Sequence, residues 1–300
     1  MRRAVIDVGS NSVLLTVAEL RDGRWVPLSE TTAVTALGEG VKATGVLSER
    51  AMADTLAALR AAFAHARELG VEKTVAMATM AARIASNTAE FVARAEAQDT
   101  PVGVLSGNDE AELGMRAVLD DPEFARFARL SIVDVGGHST ELVTTDRAEG
   151  ERFRRSFPIG TLGLLSGPLK EECPDAEARF RALQEIDQTI DLHYGTGEAG
   201  AVVALGATGT NLVSIRERMA TWQPERVHGA FLDYEEVSRA VAWLSEMTVA
   251  QRAQVMGMEP GREKTLPGGA LILERFLFGL RAEGCYVSVR GWRHALLERG

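Results

Sequence analysis

The chain has 300 residues, 46% of them apolar and 25% charged; this is the composition of an ordinary globular protein and excludes disorder along the whole length. That length predicts two domains of ordinary size. The net charge of −9 argues against a general nucleic-acid binder and against duplex nucleic acid as a partner, so an anionic ligand would need a local positive site.

Residues 3–8 form an apolar run that stops at Gly9-Ser10-Asn11, followed directly by a second strand-like run, Val13 to Ala18. After the turn signal Asp22-Gly23 a third runs from Trp25 to Val34. Ser48 then caps a helix whose apolar residues Met52, Leu56, Leu59 and Phe63 share one face, and Gly70 ends it. A strand at Thr74–Ala78, a helix near Thr88–Ala97, a strand at Val102–Leu105 and a helix at Gly107–Leu119 complete the order β-β-β-α-β-α-β-α.

The order then starts again. Strands are expected at Leu130–Val135, Glu141–Thr145 and Arg152–Phe157. A helix follows over roughly Asp175–Tyr194, with Phe180, Leu183, Ile186 and Ile190 on one face. Next come strand Ala201–Leu205 and a helix after Thr208. Helices at Tyr234–Met247, opened by the capping box Asp233/Glu236, and at Pro267–Leu280 precede a strand at Tyr286–Val289. The letters repeat as well: Val5-Ile6-Asp7-Val8-Gly9-Ser10-Asn11-Ser12 aligns with Ile132-Val133-Asp134-Val135-Gly136-Gly137-His138-Ser139, 127 residues later. Two copies of one hairpin motif predict duplicated halves. Asp120-Asp121-Pro122 breaks the preceding helix, which places the boundary within 120–128 and the domains at 1–124 and 125–300.

A strand ending in Asp-x-Gly-x-x-Ser suits phosphate chemistry. Glycine permits a sharp turn and close approach of backbone N–H groups to an anion, and the next Ser or Asn adds a donor. A carboxylate at the strand end can hold Mg²⁺. Asp7 and Asp134 facing each other across a cleft would hold a metal between two phosphate loops; the alternative is two tight turns with capping aspartates. A third glycine loop, Gly206-Ala207-Thr208-Gly209-Thr210-Asn211, opens a helix and offers either an anion site or close strand–helix packing. Arg83 is either a phosphate fork or a solvated surface arginine. Glu110, among three acids at a helix start, either complements the helix dipole or activates water as a base. His138 lies inside the second loop, where it could touch phosphate or fill a turn position.

Other classes find little support. No stretch reaches the roughly 18 apolar residues of a membrane span, and Met1-Arg2-Arg3 runs straight into a strand with no apolar signal core. Cytoplasmic residence without membrane association is therefore expected. Cys173 and Cys285 form no CxxC pair and the histidines show no metal spacing, which speaks against a disulfide framework or a zinc cluster. The four tryptophans make no stacking ladder for single-stranded nucleic acid.

The motifs resemble those of the exopolyphosphatase/guanosine pentaphosphate phosphohydrolase family, within the acetate and sugar kinase/Hsp70/actin superfamily, almost from end to end. The match runs through Ile6–Ser12, Leu37-Gly38-Glu39-Gly40, Ala78–Arg83 with Asn87, Ser106-Gly107 with Glu110-Ala111, and Asp134–Leu142. It continues in Pro158-Ile159-Gly160, Gly206–Thr210, Val227-His228-Gly229, Leu266–Ala270 and Ser288–Arg293. The sequence departs from the family pattern at His138, where a third glycine is usual, at Ala36, where an arginine is common, and at Met80, which replaces a small or hydroxylated residue.

The resemblance implies an α/β protein of two ribonuclease H-like domains with a cleft between them, without the extra C-terminal domains of longer members. It implies Mg²⁺-dependent hydrolysis of terminal phosphoanhydrides, Mn²⁺ being the alternative cation. Glu110 would be the catalytic base, and Asp134 and Glu141 would serve metal and water, with Asp7 as a further metal ligand. Ser10, Asn11, Arg83, Gly136, Gly137, His138, Ser139, Gly206 and Thr208 would hold phosphate. The expected substrate is polyphosphate, with guanosine pentaphosphate as the alternative. A binding-only module for such anions is the reading from outside enzymology, and a homodimer is left open.

Overall fold

Alternating apolar residues and two short turns make the first three strands antiparallel: β1 (Arg2–Val8), β2 (Ser12–Arg21) and β3 (Arg24–Val34). The computed structural model describes residues 1–195 and 198–299. Asp22 and Gly23 both have positive φ, 50° and 75°, the left-handed pair that matches hairpin twist. Helices α1 (Val41–Thr44) and α2 (Glu49–Glu68) follow. The Ser48 hydroxyl accepts the Ala51 N–H, and Met52, Leu56, Leu59 and Phe63 are all buried in the first core. Next come β4 (Lys73–Ala78), parallel to β1, then α3 (Met80–Ile84), α4 (Thr88–Glu96), β5 (Gly103–Val104) and α5 (Gly107–Leu119). The sheet order is β3-β2-β1-β4-β5.

The second sheet repeats this order and extends it. Strands β6 (Arg129–Val135), β7 (Thr140–Asp146) and β8 (Gly150–Phe157) are again antiparallel. Helices α6 (Thr161–Ser166) and α7 (Ala176–Ile190) lead to β9 (Ala201–Leu205), parallel to β6. Then come α8 (Ala207–Arg216), α9 (Pro224–Val227), the short β10 (Phe231–Asp233) and α10 (Tyr234–Ser245), whose Asp233/Glu236 capping box is present in full. Helix α11 (Val249–Ala253), the almost wholly buried α12 (Leu266–Gly279) and β11 (Gly284–Val287) complete the order β10-β11-β9-β6-β7-β8.

Two expectations require correction. The helix expected to reach Tyr194 stops at Ile190, because Asp191 turns left-handed with φ 39°. Its inward residues are Ala178, Ala182, Ile186 and Ile190, whereas Phe180 is 58% exposed; small alanines let the helix lie close, and the aromatic ring falls on the opposite side.

The chain divides into two compact units, Met1–Leu113 together with the segment from Trp292, and Gly114–Gly291. This differs from a division at 124/125. Asp120-Asp121-Pro122 does end α5, but the second half of that helix already belongs to the second core, where Val118 packs with Ile132 and Leu205. The last helix, α13 (Trp292–Arg299), returns to the first sheet. Arg3 donates to the Leu297 carbonyl at 3.0 Å, and Arg293 Nε donates to the Thr16 hydroxyl at 2.8 Å.

Candidate active site

In the first unit, β1 delivers Asp7 to the end of the sheet and Gly9-Ser10-Asn11 turns the chain into β2. The Gly9 N–H donates to the Ser12 carbonyl at 2.9 Å. A Cβ at Gly9 would lie 3.1 Å from that same oxygen, a tight approach that a side chain could make only if the turn opened slightly. The loop is buried and pinned: Gly38 N–H donates to the Ser10 carbonyl, and the N–H groups of Thr35 and Ala36 to that of Asn11. The Ser10 hydroxyl accepts the Ala81 N–H at 3.2 Å, which ties the loop to the first turn of α3.

That helix carries Arg83. Its Nη1 donates to Glu110 Oε2 at 2.7 Å and to the Leu105 carbonyl at 2.8 Å, while Nη2 points at the Met80 sulfur, 3.6 Å away. Both side chains of the pair are largely covered, Arg83 at 16% and Glu110 at 12% exposure, so Arg83 is not a solvated surface arginine. Burial pushes the Glu110 carboxyl above its ordinary range, and the charge and hydrogen bond of Arg83 only partly oppose this. The acids at the start of α5 divide their work. Asp109 exchanges hydrogen bonds with the Ser106 side chain at the helix start, while Glu110 turns to the guanidinium.

The second unit repeats the hairpin. Gly136 N–H donates to the Ser139 carbonyl at 2.9 Å, and a Cβ at Gly136 would lie 2.8 Å from that oxygen. His138 and Ser139 are buried. The carbonyls of Gly136 and Gly137 accept the N–H groups of Thr161 and Leu162 at 3.1 and 2.7 Å, which clamps the loop onto the start of α6. Gly160 makes this possible, since a Cβ there would come within 2.5 Å of the Gly137 and His138 backbone. Asp134 lies against the β9–α8 turn: Gly206 has φ 79°, and a Cβ on it would meet Asp134 Oδ1 at 2.9 Å. Thr208 packs its hydroxyl against Gly269 of α12, which gives it a helix-packing role inside its own unit.

Register makes the two hairpins chemically different. Leu14 stands opposite Asp7, but Glu141 stands opposite Asp134. Buried Glu141 also accepts a hydrogen bond from Ser156 Oγ at 2.7 Å, across the next strand. The residues alone did not single out Ser156; counting register through the β6–β7–β8 hairpins is the signal that finds it. Among the described residues no set of three or more His, Cys, Asp or Glu side chains converges as a metal cluster. The Asp134/Glu141 pair nevertheless supplies hard oxygen donors of the kind that suits Mg²⁺, which keeps several waters and needs only one or two carboxylates.

Residues 16–299 match the Ppx/GppA phosphatase family. The chain is 29% identical to exopolyphosphatase 2 of Mycobacterium tuberculosis, over 99% of this chain and 96% of that one. It is 30% identical to exopolyphosphatase 1 of Mycobacterium leprae, over 100% and 89%. Among solved structures, the Aquifex aeolicus Ppx/GppA family member superposes with a TM-score of 0.81 at 29% identity, covering 100% of this chain and 97% of that one. An exopolyphosphatase from Cytophaga hutchinsonii shares the fold, with a TM-score of 0.87 at 22% identity over 99% and 96%. The fold is that of the actin/Hsp70/sugar-kinase, ribonuclease H-like superfamily.

Proposed function

The chain belongs to the Ppx/GppA phosphatase family, and from that premise we propose that it is an exopolyphosphatase-like hydrolase that releases terminal phosphate from inorganic polyphosphate. The observation that carries this reading is the Arg83–Glu110 pair. It couples an anion-binding guanidinium to a carboxylate whose affinity for protons is raised by burial, which is the combination a base-assisted attack on a phosphate needs.

In this reading the water oxygen bonds to the terminal phosphorus as the bridging P–O bond breaks. Glu110 accepts the water proton, and the shortened chain leaves with the bond electrons. A phosphate group that engages Arg83 weakens its hold on Glu110 and leaves the carboxylate a stronger base. In the first unit the glycine hairpin with Ser10 would hold phosphate, and in the second unit the hairpin with Ser139 would do the same. Asp134 and Glu141 would hold Mg²⁺, or Mn²⁺, which when bound neutralises charge developing on the transferred group.

The test is phosphate release from short polyphosphate, long polyphosphate and guanosine pentaphosphate in parallel. With a net charge of −9, long-range attraction for a polyanion is weak, and short chains are expected to be cleaved at least as fast as long ones. Release from guanosine pentaphosphate alone would reassign the substrate. Tight binding of all three without release would make the protein a sensor.

A further inference from the structure

We propose that Ser156 is a positioning residue that fixes the Glu141 carboxylate for divalent-cation binding; this rests on the hydrolase reading above. Asp134, Glu141 and Ser156 lie in register on β6, β7 and β8. Strand alternation therefore places the three side chains in one row on one face of the sheet. Within that row Ser156 Oγ–H donates to Glu141 Oε1 at 2.7 Å. A carboxylate ligand whose oxygen is held by a neighbouring donor presents its lone pairs in one orientation, and such outer-shell partners govern metal affinity.

The first unit shows what the row is for. The same hairpin there places Leu14 opposite Asp7 and Thr32 opposite Leu14. A hydroxyl is present on the third strand, but no carboxylate lies between it and the aspartate. The carboxylate and its seryl donor occur together only in the second hairpin. Ser156 is itself exposed whereas Glu141 is buried, so the hydrogen bond does more for the carboxylate than for a serine that water would otherwise satisfy.

Mn²⁺ binding by calorimetry or electron paramagnetic resonance, on the full chain without substrate, tests this apart from turnover. The variants are Asp134→Asn, Ser156→Ala and Ser156→Thr, with thermal melting in the absence of metal as the control. Wild type should show a site that Asp134→Asn loses. Ser156→Ala should weaken it roughly 10–100-fold with little change in metal-free melting, and Ser156→Thr should recover most of the affinity. Wild-type affinity in Ser156→Ala, or binding in Ser156→Thr as weak as in Ser156→Ala, would overturn the role of the hydroxyl while the cation site stands. If wild type has no site that Asp134→Asn abolishes, the cation reading falls and the positioning role with it.

Discussion

Nη1 of Arg83 donates at once to Glu110 Oε2, 2.7 Å away, and to the Leu105 carbonyl, 2.8 Å away. One guanidinium nitrogen thus joins α3 to the start of α5, holds the acid in position and partly offsets the rise in proton affinity that burial causes. Glu110→Gln keeps size and hydrogen bonding but removes the proposed base. Turnover should fall roughly 10²–10⁴-fold, with substrate binding retained or slightly tightened. Near-wild-type turnover in steady-state assays would remove Glu110 from the mechanism.

The same pair sets a pH dependence. As the proposed base Glu110 would work deprotonated, and its carboxyl lies above the ordinary value of 4.5 because burial outweighs Arg83. Activity should therefore decline on the acid side at a pH above 4.5. Arg83→Gln removes an influence that holds the proton affinity down, so the acid limb of the residual activity should move to higher pH. An acid limb that stays in place in Arg83→Gln would show that Glu110 is not the titrating group.

Gly160 and Gly268 make a matched pair of tests. Gly160 has extended backbone, φ −160°, so the obstacle to a side chain is space: its Cβ would come within 2.5 Å of the Gly137 and His138 backbone. Gly160→Ala should displace the second hairpin, cost about 1–3 kcal/mol of stability and depress turnover. At Gly268, inside α12, the nearest atom to a Cβ is 3.6 Å away. Gly268→Ala should be neutral or stabilising by up to about 1 kcal/mol. Equal melting temperatures for the two variants would contradict the loop geometry.

Glu30 fastens α13. Burial raises its carboxyl, but His294, Arg293 and the Thr16 hydroxyl together outweigh that and bring it from 4.5 to about 2. A depressed carboxyl stabilises the fold above its unfolded value and loses that contribution as pH falls toward the folded one. Because Glu30 is exposed and its ion pairs are screened by solvent, the gap in unfolding free energy between wild type and Glu30→Gln should be about 1 kcal/mol at pH 7, and should shrink below pH 4.5. A gap independent of pH would show that ionisation of Glu30 contributes nothing.

Chelation is the remaining test. The paired carboxylates Asp134 and Glu141 lead to the expectation that excess EDTA abolishes phosphate release and that added Mg²⁺ restores it. Full activity in EDTA would remove the cation from the reaction.

Much of this was legible in the letters. The strand runs, the Asp22-Gly23 turn, the face of α2 and the capping box at Asp233 all act through neighbours a few residues away, and local patterns report local physics. The duplicated Asp-Val-Gly motif pointed to the repeated hairpin, and the two loops do close in the same way, Gly9 to Ser12 and Gly136 to Ser139. What failed depended on distant partners. Phe180 fits an apolar face by spacing, yet the partners of α7 select its alanines instead. Ser156 reads as one polar residue on a charged strand until register sets it beside Glu141. The residues alone left Arg83 and Glu110 with separate bland alternatives; their contact joins elements 27 positions apart.

The return of α13 has a consequence for how the protein is made. Trp292, Ala295 and Leu297 are buried, and Arg3 reaches the Leu297 carbonyl across 294 positions of sequence. The half whose synthesis begins first is thus the half completed last. A nascent chain can form the β1–β2–β3 hairpins early, but their sheet stays without its final helix until the ribosome has produced the whole second unit. Such long-range closure slows folding relative to local pairing. Translation therefore runs from the first unit through the second and back to the first, and the early sheet must tolerate an uncovered face over β1 and β2 for most of that time.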